Sequence, residues 1–535
     1  MMPVDTIFVV VRRMRDGLIF AVLCVGLLSS GQSWAVESES IRNFTEELGT
    51  EAAPFEKNQG LLSPEDVRAF YRRNKHQAIW NTIVRGSEGY RQLLHAIENS
   101  GSHGFNVNSY HLKTLSDPQT SEFAKEILAT DAFLAQARHR RIGAVSPQTL
   151  DPDWHLKLGE INSVAILERA VADGNIAERL EALWPKSHEY KALVAKRAEL
   201  LAAPSVVSIA VPPGAILKPG QSDQRIAVLK ARLFGAGDYS PVYDDELLAA
   251  VKAFQFSAGL EDDGVVGPAT LEWLNAVQFS WVDRIDANLE RWRWLPDEIP
   301  ETHLRINIAA FQLRAIKKGE DSLTMKVIVG KLYRRTPVFM ETMKYLVYNP
   351  YWNVPYSIAT KDKLPLLKKD AAALEAQGYE VRPALSERFV GVSSVDWNPI
   401  TPRQFNYLLR QKPGPRNALG QIKFMLPNQF SVYLHDTPDH SLFKKQERGF
   451  SSGCVRLSDP LRLAEWVLQN DGQGVTLDTL RKQIGSGDTQ TVYLKSPLPV
   501  LIVYFTAFTN GRDEVIFRRD LYQRDGAIVE ELRKE

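Results

Sequence analysis

Near Thr302 the spacing of apolar residues along this 535-residue chain changes from helical to alternating, so no single type of secondary structure serves both halves. Upstream, Ser63-Pro64-Glu65-Asp66 reads as a helix start, with Ser at the N-cap, Pro behind it and acids in the first turn. Val67, Phe70, Tyr71 and on to Trp80 keep helical spacing, and residues 89–100, 108–112, 121–142 and 163–183 continue in that style. Downstream, residues 303–308, 325–329 and 345–348 alternate as half-buried strands do. A chain this long exceeds what one hydrophobic core covers. The expectation is a multidomain α+β protein.

The divisions follow from local chemistry. Arg12, Arg13 and Arg15 precede an apolar run at 17–28 and a small-residue cleavage site at Ser33-Trp34-Ala35, which reads as an export signal over 1–35. The run is shorter than the ~20 residues of a spanning helix, so cleavage is the first reading and an uncleaved inner-membrane anchor the second. Residues 36–59 are polar and acidic, a tether; 60–203 form a helical scaffold domain; 204–220, rich in Pro and small residues, a linker. Three short helices follow in a small domain at 221–277. Residues 278–301 carry Trp281, Trp292 and Trp294 on a helix returning to the scaffold. Residues 302–535 are mainly β, interrupted by a helical insertion at 358–379 that extends to about 412 as a lid. Further strands are expected at 421–425 and 430–434, a helix from Ser458-Asp459-Pro460 through Leu468, and a hairpin joining 500–508 to 515–519 around Asn510-Gly511.

Formal net charge is +1, and losing residues 1–35 takes three Arg and two Asp from 65 basic and 64 acidic side chains, leaving 62 of each. No basic field argues for nucleic acid. His103 and His111 read as surface or capping residues, not ligands, and no metal or organic cofactor is expected.

Only two cysteines occur, Cys24 inside the expected signal and Cys454. An exported chain would keep Cys454 as a lone thiol, either inert in a core or a nucleophile. Its setting, Ser451-Ser452-Gly453-Cys454-Val455-Arg456, is not core composition. A thiol catalyst needs a base, a positive or donor-rich setting, and backbone donors for an oxyanion. His435 offers the base, Gly453 an unobstructed backbone, and Arg456, two residues on, a cation on the same side of an extended segment. His440 is the alternative base, beyond Pro438 in a loop. Asp436 invites a third catalytic role, but neighbours on a strand point to opposite faces.

Two resemblances give these residues a context. Leu229-Lys230-x-Arg232-Leu233, Val251-x-x-Phe254-Gln255 and Gly259-Leu260-x-x-Asp263-Gly264-Val265-Val266-Gly267-Pro268-x-Thr270-Leu271 resemble the peptidoglycan-binding module of wall enzymes. His435, a spacer of 15 residues (436–450) and Ser451-Ser452-Gly453-Cys454-Val455-Arg456 resemble the motif of L,D-transpeptidases with a YkuD-type domain. Many members have His before the Gly; Ser452 here is typical of the large YcbB-like branch. That branch also shows Asn349-Pro350-x-Trp352-Asn353-Val354-Pro355, Lys361-Asp362-x-Leu364-Pro365, Pro413-Gly414-Pro415-x-Asn417-x-Leu419-Gly420 and Tyr433-Leu434-His435-Asp436-Thr437-Pro438.

The resemblance implies a periplasmic enzyme that makes 3→3 cross-links between peptidoglycan stem peptides, with Cys454 as nucleophile, His435 as general acid/base, and Gly453 at the oxyanion. Ser451, Ser452, Tyr433, Trp352, Arg456 and Asn417 are the candidate substrate-binding residues, and carbapenem β-lactams the expected inhibitors. A wall hydrolase using the same pair with water as acceptor is the alternative, and a non-catalytic wall-binding protein the third reading.

Overall fold

Helices fill the first part of this computed structural model, which describes residues 38–48, 60–80, 87–202, 209–235, 237–275, 278–510 and 514–534. The expected signal with Cys24 and most of the second half of the expected tether lie outside the described residues. Among the described residues no helix is long and apolar enough to cross a membrane.

The scaffold is organised around helix Glu122–Ile142, buried through most of its middle. Its Glu126 carboxylate accepts the amides of Ile79 (2.7 Å) and Trp80 (3.1 Å) and the Tyr71 hydroxyl (2.9 Å), tying helix Pro64–Arg73 to it. The tether expectation fails at its start. Ser38–Glu47 is a helix that packs on Pro64–Arg73, with Ile41 fully buried and Phe44 edge-on to Phe123 at 5.6 Å. Ile41, Phe44, Thr45 and Leu48 recur at helical spacing, a stripe that the acidic composition obscured. His103 is stacked on Trp184 at 3.9 Å, while His111 stands at the N-cap of helix Leu112–Ser116, the capping position expected, and pairs with the buried Asp131 at 2.7 Å.

The three-helix unit comprises Gln224–Phe234, Asp245–Ala258 and Pro268–Leu274. Asp223 and Asp244 cap the first two. Ile226, Leu229, Leu247, Val251 and Leu274 form its core. The linker expectation ends early here. Val211 and Leu217 are buried in that core, and Asn275 bonds both the amide (2.8 Å) and carbonyl (2.9 Å) of Val211, so the described part of 204–220 is strapped onto the unit. Helix Gln278–Arg293 then packs against His188–Ala202. It reaches the C-terminal domain through Asn288 to Thr506 (2.7 Å) and Arg291 to Asp525 (2.6 Å).

The C-terminal domain is built on β1 (His303–Asn307), β2 (Gln312–Lys317), β3 (Glu320–Gly330), β4 (Phe339–Tyr348), β5 (Trp352–Asn353), β6 (Tyr379–Pro383), β7 (Val390–Gly391), β8 (Tyr407–Gln411), β9 (Ile422–Met425), β10 (Leu434–His435), β11 (Gly449–Ser451), β12 (Val455–Leu457), β13 (Gln490–Val503), β14 (Ala507–Thr509) and β15 (Val515–Phe517). Nine strands pair in the order β11-β3-β12-β10-β9-β4-β13-β1-β2, and β2 also pairs with β3, closing the sheet on itself. Closure leaves few free edges and encloses an apolar core including Leu304, Ile306, Val327, Leu346, Phe424, Leu434, Val455 and Val500. Residues 500–503 belong to β13 in this sheet, so the expected hairpin shrinks to β14 and β15. Of the expected strand at 430–434, only Leu434 is in β10.

Between β4 and β9 the insertion is not simply helical. Helix Leu364–Ala376 packs on a four-stranded sheet, β5-β8-β6-β7, around its own core of Trp352, Leu367, Tyr379, Val381, Trp397 and Leu409. One π-helical turn, Ala359–Lys363, leads into the helix and aims Asp362 at the barrel loop between β3 and β4.

Candidate active site

The barrel brings Cys454 and His435 together through register. β10 and β12 run parallel with His435 beside Arg456, and β9 runs antiparallel to β10 with Lys423 beside His435. Directly paired residues share a sheet face, so Lys423, His435 and Arg456 form one rung; Cys454, two residues before Arg456, stands on the same side. This face borders a cleft of about 720 Å³ between barrel and insertion. Cys454, His435, Arg456, Ser451, Ser452, Tyr433 and Trp352 all line it.

The half-buried thiol lies 3.7 Å from the Ser431 carbonyl, in a turn held by Asn428, whose side chain accepts the amides of Phe430 and Val432. Burial pushes its pKa above the ordinary value, while the Tyr433 amide, Lys423, the Tyr433 phenol and Arg456 pull it back. His435 is buried, and burial, then Arg456, takes its imidazole down to about 3; Lys423 adds to that, and the Asp436 carbonyl opposes it. The ordinary imidazole value that its residue type suggests is therefore not the resting one. At neutral pH the site pairs a thiol with a neutral ring, which is the form that accepts a proton.

Asp436 does orient the ring, by an unexpected atom. His435 Nδ1 donates to the Asp436 main-chain carbonyl at 2.5 Å, which leaves Nε2 as the free acceptor. The Asp436 carboxylate is engaged elsewhere, by the amides of Gln421 (2.8 Å) and Thr437 (2.7 Å) and by His440 at 3.6 Å. His440, exposed and outside the cleft lining, is not placed to serve as base.

Two expected roles are corrected. Gly453 adopts φ +115°, a backbone region that favours glycine, but its amide donates to Ser451 Oγ at 3.1 Å and is not free for an oxyanion. Asn417 is fully buried, outside the cleft lining, and bonds the carbonyls of Pro350 (3.0 Å) and Lys412 (2.8 Å) and the amide of Leu419 (2.8 Å): it fastens the chain returning from the insertion. Ser451 is also engaged internally, its hydroxyl donating to the Cys454 carbonyl at 2.5 Å.

Sequence reading missed Lys423, whose ammonium sits 3.9 Å from the Tyr433 ring centroid. Buried Ile422 and Phe424 on either side show which way Lys423 faces, but only pairing places it beside His435. It also missed Arg334, which grips Asp362 of the insertion at 2.5 and 3.0 Å and donates to Ser452 Oγ at 2.9 Å. Arg456 makes no ion pair among the described residues, and its buried Nε has no partner there.

Three stretches of the chain match known protein families. Residues 301–493 match the family described as the L,D-transpeptidase catalytic domain, 222–274 the "Putative peptidoglycan binding domain", and 65–196 a scaffold domain. A Haemophilus influenzae protein named "Putative L,D-transpeptidase" is 33% identical over 247 residues, covering 46% of this chain and 48% of the relative. An N-acetylmuramoyl-L-alanine amidase of Bacillus licheniformis, CwlL, is 41% identical over 70 residues, 12% of this chain and 19% of that protein. The chain thus spans about half or less of the length of these curated relatives. A crystallised L,D-transpeptidase fragment from Xylanimonas cellulosilytica aligns over 55% of this chain and 99% of its own at 15% identity and TM-score 0.17, which adds nothing to the fold assignment.

Proposed function

We propose that this chain, which carries an L,D-transpeptidase catalytic domain beside a peptidoglycan-binding domain, cross-links peptidoglycan stem peptides in the periplasm by acyl transfer through Cys454. The observation that carries the reading is the rung: an imidazole with its free nitrogen set by the Asp436 carbonyl, flanked by Lys423 and Arg456, on the face that bears the lone described thiol.

In this reading Cys454 attacks the carbonyl of the third residue, a diamino acid, in a donor tetrapeptide stem. His435 Nε2 takes the thiol proton as sulfur bonds to carbon, and the two cations favour the thiolate. The tetrahedral oxyanion needs a donor, and the Cys454 amide, which has no acceptor among the described residues, can supply one. Collapse expels D-alanine, whose nitrogen receives the proton from His435. The side-chain amine of a second stem then attacks the thioester, loses a proton to His435 and forms the 3→3 link, and the thiol is restored. Arg456 is free to meet a stem carboxylate. The insertion closes over the cleft and limits attack by water.

Intact-mass analysis after incubation with a carbapenem tests the nucleophile. One covalent adduct on the full chain, absent from Cys454→Ala, is expected; an adduct on the variant would reject Cys454.

A further inference from the structure

Thr336, in the loop between β3 and β4, is fully buried and hydrogen-bonds the nucleophile segment. Its hydroxyl accepts the Gly330 amide at 2.9 Å and donates to the Gly453 carbonyl at 2.8 Å. Behind it stands Tyr522, whose phenol accepts the Thr336 amide at 3.1 Å and donates to the Gly330 carbonyl at 2.7 Å. Tyr522 is itself buried, and its amide donates to the Tyr504 hydroxyl at 2.7 Å. On the other flank, Ser451 Oγ accepts the Gly453 amide and donates to the Cys454 carbonyl. From Gly453 N to Cys454 O, the Cys454 amide is the main-chain polar group left without a protein partner among the described residues.

The Gly453–Cys454 peptide bond is trans, so its C=O and N–H point in opposite directions. A hydroxyl that draws the Gly453 carbonyl into the interior therefore turns the Cys454 amide outward, toward the cleft that Cys454 lines. Gly453, at φ +115°, has no Cβ to resist rotation of this plane, so the hydrogen bond must hold it. We propose that Thr336 is a positioning residue for acyl transfer: it fixes the Gly453–Cys454 peptide plane so that the Cys454 amide is preset as the oxyanion donor, with Tyr522 fixing Thr336. This rests on the acyl-transfer reading above.

The experiment compares two reactions of the same sulfur in the full chain. Acylation by a carbapenem builds an oxyanion, whereas alkylation by iodoacetamide does not. Thr336→Val should slow acylation by roughly 10²-fold, the scale of losing one oxyanion donor. It should leave alkylation within about twofold of the parent, since thiol and base are untouched. Thr336→Ser, which keeps the hydroxyl, should recover most of the acylation rate. Tyr522→Phe is the second variant, informative even if Thr336→Val does not fold; its acylation should fall less and its alkylation stay unchanged. Parallel loss of both reactions, acylation of Thr336→Val or Tyr522→Phe at the parent rate, or a Thr336→Ser as slow as the Val variant would overturn the proposal. A parent chain that is alkylated but never acylated would instead remove the acyl-transfer reading, and this proposal with it.

Discussion

Asp362→Asn is the most discriminating change outside the catalytic pair. Among the described residues, Asp362–Arg334 is the one ion pair between the insertion and the loop beside Cys454. The geometry is bidentate, at 2.5 and 3.0 Å, which strengthens it, but the Asp362 side chain is 42% exposed, so solvent screens it. Exposed pairs contribute about 0.2–1 kcal/mol, and the two-fold contact argues for the upper end. Losing about 1 kcal/mol shifts the closed-to-open ratio of the insertion about fivefold. Asn keeps the side-chain volume and leaves the Arg334–Ser452 contact in place. With disaccharide-tetrapeptide as substrate, the ratio of hydrolysed to cross-linked product, read by mass spectrometry, should rise by up to about fivefold. Raising the salt should move the parent toward the variant and leave the variant unchanged, because only the parent has a pair to screen. Deleting the insertion should raise the ratio further. If deletion raises it while Asp362→Asn does not, the pair is not the latch; if neither does, water exclusion by the insertion is refuted.

The resting charge state makes a second prediction. A depressed His435 pKa keeps the ring unprotonated until the pH falls to about 3, and a raised Cys454 pKa keeps the sulfur protonated as the pH rises. Iodoacetamide alkylation should climb steadily between about pH 7 and 9, and a plateau reached near pH 5 would reveal a preformed thiolate–imidazolium pair. Gly453→Ala forces a Cβ into φ +115°, a strain of about 1–3 kcal/mol, and should abolish acylation while the chain stays folded by circular dichroism; parent-like acylation would contradict the backbone role given to Gly453. Arg291→Ala leaves the buried Asp525 with Thr506 and the more distant Arg284, at 3.5 Å. Urea unfolding should show a loss of about 3–5 kcal/mol, and less than about 1 kcal/mol would deny that this pair joins the scaffold to the barrel.

What the sequence disclosed follows from how local each signal is. Cys454 and His435 could be named as candidates from the sequence because their chemistry belongs to the residue type, and the fold sets both at one cleft. The three-helix unit was legible because caps, faces and the Gly267-Pro268 turn lie close together in the chain. The rung was not, since Lys423 and Arg456 flank His435 only through pairing across β9, β10 and β12. The insertion's sheet was missed for a related reason. β5 is two residues long, too short to show a period, and Pro383 ends β6, so only pairing reveals them as strands. Main-chain roles were hardest to read: every residue has the carbonyl that Asp436 offers to His435, and only the folded path puts that one in place.

The central claim is transfer through Cys454 to an amine acceptor. Incubating the purified chain with disaccharide-tetrapeptide and identifying the products by mass spectrometry tests it most directly. A dimer lacking one D-alanine, formed by the parent and not by Cys454→Ala, is the predicted result. Tripeptide alone would make the protein a hydrolase, and dimer formation by Cys454→Ala would contradict the account.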